Sequence, residues 1–314
     1  MSERKPPSGE SLYRGPSKAP RDKRERERDR ASQPRPSQAH AEPPPREPRE
    51  HREPRAPLRE RLAEAAPVAL SEQRLYGFNA CMAVFGKRPE ALRKVWLLQA
   101  RIPKLKPVIE YCVKHRIGYT VVEATDLEKL SGSAHHEGVV FSVLPVAELS
   151  LAAWLRTLAR GPQLAIWLDG VGNPHNLGAI LRSAAHFGAA GVLLPQGAQA
   201  LSGAAARVAE GGAEAVPLVR LGRSDEAIAQ LQAAGFQLAA TVVRGGQALY
   251  AATLPDRFVL VMGAEQMGVA PELAQALSLR LIVPGSGKVE SLNVSVATAV
   301  FLGEWWRQHA TSVG

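Results

Sequence analysis

The sequence predicts an α/β fold: a parallel sheet over residues 161–314, a smaller α/β region ahead of it, and an N-terminal tail. Three observations support this prediction. Apolar runs of strand length alternate with helical stretches over 161–314, which is typical of parallel α/β sheets. A shorter alternation of the same kind covers 71–146. The first 70 residues hold 13 of the 24 prolines, so we expect them to form no core.

The tail, residues 1–70, is expected to be disordered, because its single aromatic residue, Tyr13, and few apolar side chains cannot offset the backbone entropy of folding. It carries 17 Lys and Arg against 12 Asp and Glu, a net charge of +5. The rest of the chain, with 22 against 18, contributes +4. Such an arm favours attraction to nucleic-acid phosphates. A role in solubility alone accounts for its composition equally well.

Cysteine and histidine usage predicts neither disulfides nor a metal site. Cys81 and Cys112 lack metal-binding spacing, and His135 and His136 are neighbours whose side chains point apart on an extended segment. The sequence also has no apolar run of 18 residues and no secretory signal. We therefore expect a protein of the reducing cytoplasm with no membrane partner.

Helical and strand patterns alternate through residues 71–146, in the segments LYGFNACMAVF, KVWLLQA, LKPVIEYCVKHRI, YTVVEA and GVVFSVLPV. This alternation predicts a small α/β domain. We expect residues 147–160 to form a linking helix. Six apolar runs then predict the strands of the parallel sheet: AIWLD, GVLLP, AVPLV, QLAATVV, FVLVMG and LRLIVP. Pro271 is expected at a first helical position, where its missing amide costs nothing.

Three loops that follow predicted strands carry the candidate functional residues. The first loop leads into a predicted helix with the pattern N-x-G-x-x-x-R, which runs from Asn176 to Arg182. Asn176 is expected to cap this helix. The second has the pattern G-x-E with a further glycine, from Gly263 through Glu265 to Gly268. The third, PGSGKVESLNVS, runs almost without a spacer into the last helix, which either Ser291 or Asn293 is expected to cap while the other faces a cleft.

Two common nucleotide-binding motifs are excluded by spacing. The G-x-G at Gly170 and Gly172 lacks its third glycine, since His175 stands there, and no acidic residue ends the next strand. The GSGK at 285–288 lacks the leading glycine and the following Ser or Thr of a P-loop.

The three loop motifs, in this order, resemble the SpoU/TrmH branch of the SPOUT RNA methyltransferases. Residues 71–146, with Tyr76-Gly77 near the start and His136 to Val139 near the end, resemble the ribosomal-protein-like substrate-binding domain of that branch. The resemblance implies a C-terminal trefoil knot and a homodimer, for which the last helix, Asn293 to Gln308, would supply apolar surface with Trp305 and Trp306. It also implies S-adenosyl-L-methionine as methyl donor and the ribose 2′-hydroxyl of a tRNA or rRNA as acceptor, without a metal.

The resemblance assigns roles to individual positions. The catalytic residues it implies are Arg182, Asn176, Glu265, Ser291 and Asn293. The cofactor-binding residues it implies are Gly263, Val283, Gly287 and Leu292. Arg182 would act as a base or as an anchor for a substrate phosphate, and the anchor is physically simpler because a guanidinium stays protonated.

Two positions depart from the family pattern, and a second function stays open. Gly285 stands where many relatives have methionine, and Gln266 where many have glycine. The main hypothesis is an RNA ribose 2′-O-methyltransferase. The alternative is an RNA-binding or ribosome-assembly protein that keeps the fold with little or no catalysis.

Overall fold

Two β-sheets organise the residues that the computed structural model describes, 71–199 and 201–310. The predicted disordered tail, 1–70, lies outside the described residues. Below, residues 71–146 are called the small region and residues 147–310 the large region. Both belong to one compact unit of the chain.

The small region is built on a four-stranded mixed sheet. Its strands are β1 (Gln73–Tyr76), β2 (Leu92–Leu97), β3 (Gly118–Val121) and β4 (Val139–Val143), in the spatial order β1-β4-β2-β3. The β4 strand pairs antiparallel with both β1 and β2, whereas β2 and β3 are parallel. The helices are α1 (Phe78–Lys87), α2 (Ile102–His115) and α3 (Ala124–Ser131). This arrangement confirms the alternation predicted from the sequence.

The large region is built on an eight-stranded sheet in which every described strand pair is parallel. Its spatial order is β10-β12-β9-β11-β6-β7-β8-β5. The strands are β5 (Leu149–Ser150), β6 (Gln163–Asp169), β7 (Gly191–Leu194), β8 (Leu218–Arg220), β9 (Gln237–Thr241), β10 (Gln247–Ala248), β11 (Arg257–Gly263) and β12 (Leu279–Ile282). All six predicted strands are therefore present, joined by two short ones that were not predicted.

The helices of the large region connect these strands. They are α4 (Leu151–Thr157), α5 (Pro174–His186), α6 (Gly203–Ala209), α7 (Gly212–Ala215), α8 (Ser224–Ala233), α9 (Pro271–Ala276) and α10 (Val294–His309). Pro271 opens α9, as predicted. The linking helix is shorter than the predicted 147–160, because Leu149 and Ser150 pair with β8 before α4 begins.

The central strands are buried on both faces. On β6, Ile166 packs into the apolar cluster that includes α5, while Trp167 packs into the cluster on the opposite face. Continuous apolar runs are typical of strands covered on both sides, and for that reason the sequence revealed them.

The strand order reverses at β6, which lies between β11 and β7. The two strands β6 and β11 run in register, with Asp169 opposite Gly263 at their carboxyl ends. Open α/β sheets bind ligands in the crevice beyond the carboxyl ends of strands at such a reversal. The fold therefore directs attention to the loops that follow β6 and β11.

Candidate active site

The loop after β6 brings Asn176 to the strand-order reversal, although Asn176 does not cap α5 as predicted. Asn173 is the capping residue, since its Oδ1 accepts a hydrogen bond from the amide of His175 at 2.9 Å and Pro174 opens the helix. Asn176 lies within the first turn and is buried. Its Nδ2 is thereby free to donate to Oε1 of Glu265 at 2.8 Å.

Asn293 caps α10 and also reaches into the site. Its Oδ1 accepts from the amides of Ser295 at 2.9 Å and Val296 at 3.4 Å, which satisfies the first turn of the helix. Its Nδ2 donates to Oε1 of Glu265 at 2.6 Å and to Oδ1 of Asn176 at 3.1 Å. One side chain thus performs both of the tasks that the sequence analysis divided between Ser291 and Asn293.

The three side chains form a polar triad of Asn176, Glu265 and Asn293, drawn from segments that are separate in the sequence. Both asparagines donate to the same oxygen of Glu265, Oε1. Among the described residues, Oε2 of Glu265 has no hydrogen-bond partner, and the residue is exposed. The arrangement holds a carboxylate in place from one side and leaves its other oxygen available to a ligand donor.

The loop that carries Glu265 is folded tightly on the end of β11. Ala264 and Gly268 exchange two backbone hydrogen bonds, and Gly268 adopts a φ of 68°. A Cβ on Gly263 would collide with the backbone of Gly268 and Val269. The requirement for glycine at 263 therefore comes from close approach of the chain to itself.

Asp169 supports this loop and was not identified from the sequence as a site residue. Its Oδ2 accepts a hydrogen bond from the amide of Ala270 at 2.7 Å, which ties the end of β6 to the start of α9. The available signal was a carboxylate that ends a buried apolar strand and precedes a glycine.

The predicted cofactor residues after β12 all lie on the segment that leads into α10. Val283 is partly buried and packs on the apolar core, whereas Leu292 is 44% exposed. Gly287 has a φ of 77°, a left-handed backbone conformation that favours glycine. Ser291 is exposed, and no hydrogen bond joins its side chain to another described residue.

Arg182 stands apart from the triad. It is exposed, and its guanidinium makes no ion pair or hydrogen bond with any described residue. Six residues of α-helix place it about 9 Å along α5 from Asn176 and about 120° around the axis. The structure thus joins three of the five predicted catalytic residues and leaves Arg182 and Ser291 outside that network.

The remaining sequence expectations concern cysteines, metals, membranes and the last helix. Burial raises the pKa of the Cys81 thiol, and the pKa of the Cys112 thiol is raised for the same reason. In the part of the chain that the structure describes, no cluster of side chains is suited to a metal, and no helix is long and apolar enough to cross a membrane. Trp305 is a core residue that donates to the carbonyl of Pro255 at 2.9 Å, so of the two tryptophans only Trp306, 41% exposed, offers a surface for an interface.

Comparison with known proteins identifies two families in the chain. Residues 163–303 match the SpoU rRNA Methylase family, and residues 74–148 match the family described as RNA 2'-O ribose methyltransferase substrate binding. The fold is also similar to the AdoMet-bound rRNA methyltransferase from Sinorhizobium meliloti, with a TM-score of 0.64 and 24% identity over 76% of this chain and 88% of that one.

Curated relatives agree with the family matches. The chain is 39% identical over 238 residues to the "Uncharacterized tRNA/rRNA methyltransferase YfiF" of Escherichia coli O157:H7, covering 76% of this chain and 69% of the relative. It is 33% identical over 241 residues to the 23S rRNA (guanosine-2'-O-)-methyltransferase RlmB of Pseudomonas putida, covering 75% of this chain and 96% of the relative. The chain therefore belongs to the SpoU rRNA methylase family.

Proposed function

We propose that the chain is an S-adenosylmethionine-dependent RNA methyltransferase that acts on a ribose 2′-hydroxyl of rRNA or tRNA. The observation that carries the proposal is the triad of Asn176, Glu265 and Asn293, assembled at the strand-order reversal. Family membership and the activity for which the RlmB relatives are named support it.

The loops of the site fit the methyl donor. The donor's adenosine has apolar faces and hydrogen-bonding edges, and the segment after β12 offers the partly buried Val283 and the exposed Leu292 together with glycine-bent backbone at Gly287. We propose that these residues, with the tight loop at Gly263, hold the donor. When bound, the donor supplies a methyl group already activated by its sulfonium.

The residues of the triad would act on the acceptor. Two asparagines fix the Glu265 carboxylate by donating to its Oε1. Its Oε2, without a described partner, is a hydrogen-bond acceptor suited to orienting a ribose hydroxyl. Arg182, exposed and free of described partners, suits a phosphate of the same RNA. Ser291, exposed on the segment before α10, would line the same cleft.

The distribution of charge supports attraction of RNA by the small region. Residues 71–146 carry 11 Lys and Arg against 7 Asp and Glu, whereas residues 147–314 carry 11 of each. All of the net charge of +4 outside the tail therefore lies in the small region. Phosphate attraction depends on such an excess of cations.

A basic aromatic cluster lies where α1 and α2 of the small region begin. The Arg101 guanidinium carbon stands 5.4 Å from the centre of the Phe78 ring, and Lys104 Nζ stands 6.0 Å from it. Aromatic faces beside cations are suited to stacking a base while neutralising its phosphate. We propose this cluster as a contact for single-stranded RNA.

Finer features of the proposal rest on the resemblance. We propose a trefoil knot in the large region, a homodimer, and a division at 71–146, 147–160 and 161–314. Exposed apolar side chains beside the site, at Met267, Leu292 and Val296, support an interface between copies. The RNA substrate would place the protein in the cytoplasm, and the +5 tail would add to its attraction for RNA.

Methyl transfer to separated tRNA and rRNA from a labelled donor tests the proposal. We expect label on a ribose 2′-oxygen of one RNA class, lost in Glu265→Gln and retained in Glu272→Gln, a matched change at an exposed glutamate of α9. RNA binding without transfer to any RNA would contradict the proposal in favour of an assembly protein. Label on a base would contradict the ribose assignment.

A further inference from the structure

Residues 201–215, which include the helices α6 and α7, are here called the bridge. The bridge packs against the small region at two glycines. A Cβ on Gly203 would collide with the carbonyl oxygen of Arg74 in β1. A Cβ on Gly211 would stand 3.0 Å from Cβ of Ala83 in α1. Such close approach leaves little room for the bridge and the small region to move independently.

The opposite side of the bridge packs as closely on α5, the helix of Arg182. A Cβ on Gly178 of α5 would stand 2.5 Å from the carbonyl oxygen of Ala205. A Cβ on Gly212 would stand 2.7 Å from the carbonyl oxygen of Leu181 and 3.0 Å from Cα of Arg182. The bridge is therefore in direct contact with the backbone of the proposed catalytic arginine.

Ion pairs fasten the small region to the bridge. The Arg88 guanidinium donates to both oxygens of Glu214, Nε to Oε2 at 2.7 Å and Nη2 to Oε1 at 2.8 Å, and the two side chains are only 16% and 5% exposed. Arg207 pairs with Glu137 at 3.2 Å. A bidentate ion pair of this kind fixes the relative orientation of the two side chains as well as their distance.

One apolar cluster continues through all three parts, from Val84 of α1 through Ala206 and Ala213 of the bridge to Ile180 of α5. Glu214 of the Arg88–Glu214 pair lies on α7, the helix that begins at Gly212, and Gly212 packs on the backbone of Arg182. A change in how the small region packs on the bridge would therefore displace the backbone that carries Arg182.

We propose that the bridge couples RNA held by the small region to the position of Arg182, and that Arg88 and Glu214 are the positioning residues of this coupling. The inference rests on the proposed function. Neither residue contacts the triad. Their role is to fix the position of the RNA-holding surface relative to the catalytic arginine, so that only one nucleotide of the bound RNA reaches the site.

Single-turnover methyl transfer at saturating RNA and donor, with mapping of the methylated nucleotide, tests the proposal in Arg88→Ala and Glu214→Gln. We expect the rate to fall about tenfold or more, because small misplacements of reacting groups are costly. Donor and RNA affinities should stay within about twofold, since neither binding surface is changed. Methylation should spread to neighbouring nucleotides, and the exchanged pair Arg88→Glu with Glu214→Arg should recover part of the rate and selectivity.

The matched control is Arg223→Ala, which removes an exposed arginine paired with Asp225 at 2.8 Å in the large region. It should leave rate and site choice as in the parent. Parental rate and selectivity in Arg88→Ala and Glu214→Gln would overturn the proposal. A slower rate with unchanged site choice would also overturn it, since that is the result of a smaller folded fraction.

Amide hydrogen exchange separates this inference from the proposed function. Amides of residues 175–186 should exchange faster in Arg88→Ala than in the parent, and at the parental rate in Arg223→Ala. If the parent transfers methyl to no RNA, the proposed function fails, and exchange alone decides the coupling. Unchanged exchange at 175–186 in Arg88→Ala would then overturn it.

Discussion

The small and large regions differ in where they place charge and in what their loops hold. The small region carries the whole excess of +4 on a mixed four-stranded sheet, while the large region is neutral overall and brings three polar side chains to one point of a parallel sheet. Long-range attraction requires only an excess of cations, whereas chemistry requires groups fixed within hydrogen-bonding distance. The contrast supports the proposal that the small region captures RNA while the large region carries out methyl transfer.

The largest effect is expected from a change confined to the tight loop of the large region. Gly263→Val should abolish donor binding, because the added side chain collides with the backbone of Gly268 and Val269 and displaces the loop. Calorimetry with the donor should detect no binding. Gly222→Ala, at a glycine with open space around it, should bind as the parent does. Parental affinity in Gly263→Val would remove this loop from the donor site.

The next largest effect is expected at Arg182. Arg182→Ala should slow single-turnover methyl transfer a hundredfold or more, on the order of 3 kcal/mol in the barrier, if the guanidinium anchors the RNA at the reacting ribose. Because the side chain is exposed, the free energy of unfolding should change by less than about 0.5 kcal/mol. Arg182→Lys should recover little of the rate, since a point charge does not reproduce the planar fork. A fast alanine variant would assign Arg182 a surface role only.

A smaller effect is expected from the basic cluster of the small region. The double change Arg101→Ala with Lys104→Ala should weaken RNA binding by about tenfold and reduce the salt slope by about two. The control Lys106→Ala with Lys114→Ala removes the same charge from α2. Binding titrations at several salt concentrations distinguish them, and equal losses in both would indicate a diffuse field without a defined contact.

The smallest effect is expected from the tail. Removal of residues 1–70 takes away a charge of +5 and leaves the described residues intact, so donor binding and stability should not change. RNA affinity should fall a few-fold at low salt, and its salt dependence should flatten. Unchanged affinity at low salt would show that the tail has no part in RNA capture.

The sequence predicted the strands of the large region well, because strands buried on both faces read as continuous apolar runs. It did not predict β5 and β10, since a two-residue strand is defined by its neighbours and leaves no periodic pattern. Asn176 was predicted as a cap because asparagine favours that position. Asn173, three residues earlier and directly before Pro174, meets the same preference and takes the position.

The candidate site was predictable as a set of loops and not as a geometry. Motif order identified Asn176, Glu265 and Asn293, yet only the sheet order brings the loops after β6 and β11 together. The support from Asp169 and the close packing of Gly212 on Arg182 depend on contacts between distant segments. No local pattern encodes such contacts.

The division of labour is tested most directly by the single-turnover rate as a function of RNA concentration, measured for Arg182→Ala and for Arg101→Ala with Lys104→Ala. We expect Arg182→Ala to lower the plateau a hundredfold or more with little change in the half-saturating RNA concentration. The double variant should raise that concentration about tenfold at a parental plateau. Loss of plateau in the double variant, or a shift of half-saturation alone in Arg182→Ala, would contradict the separation of RNA capture from chemistry.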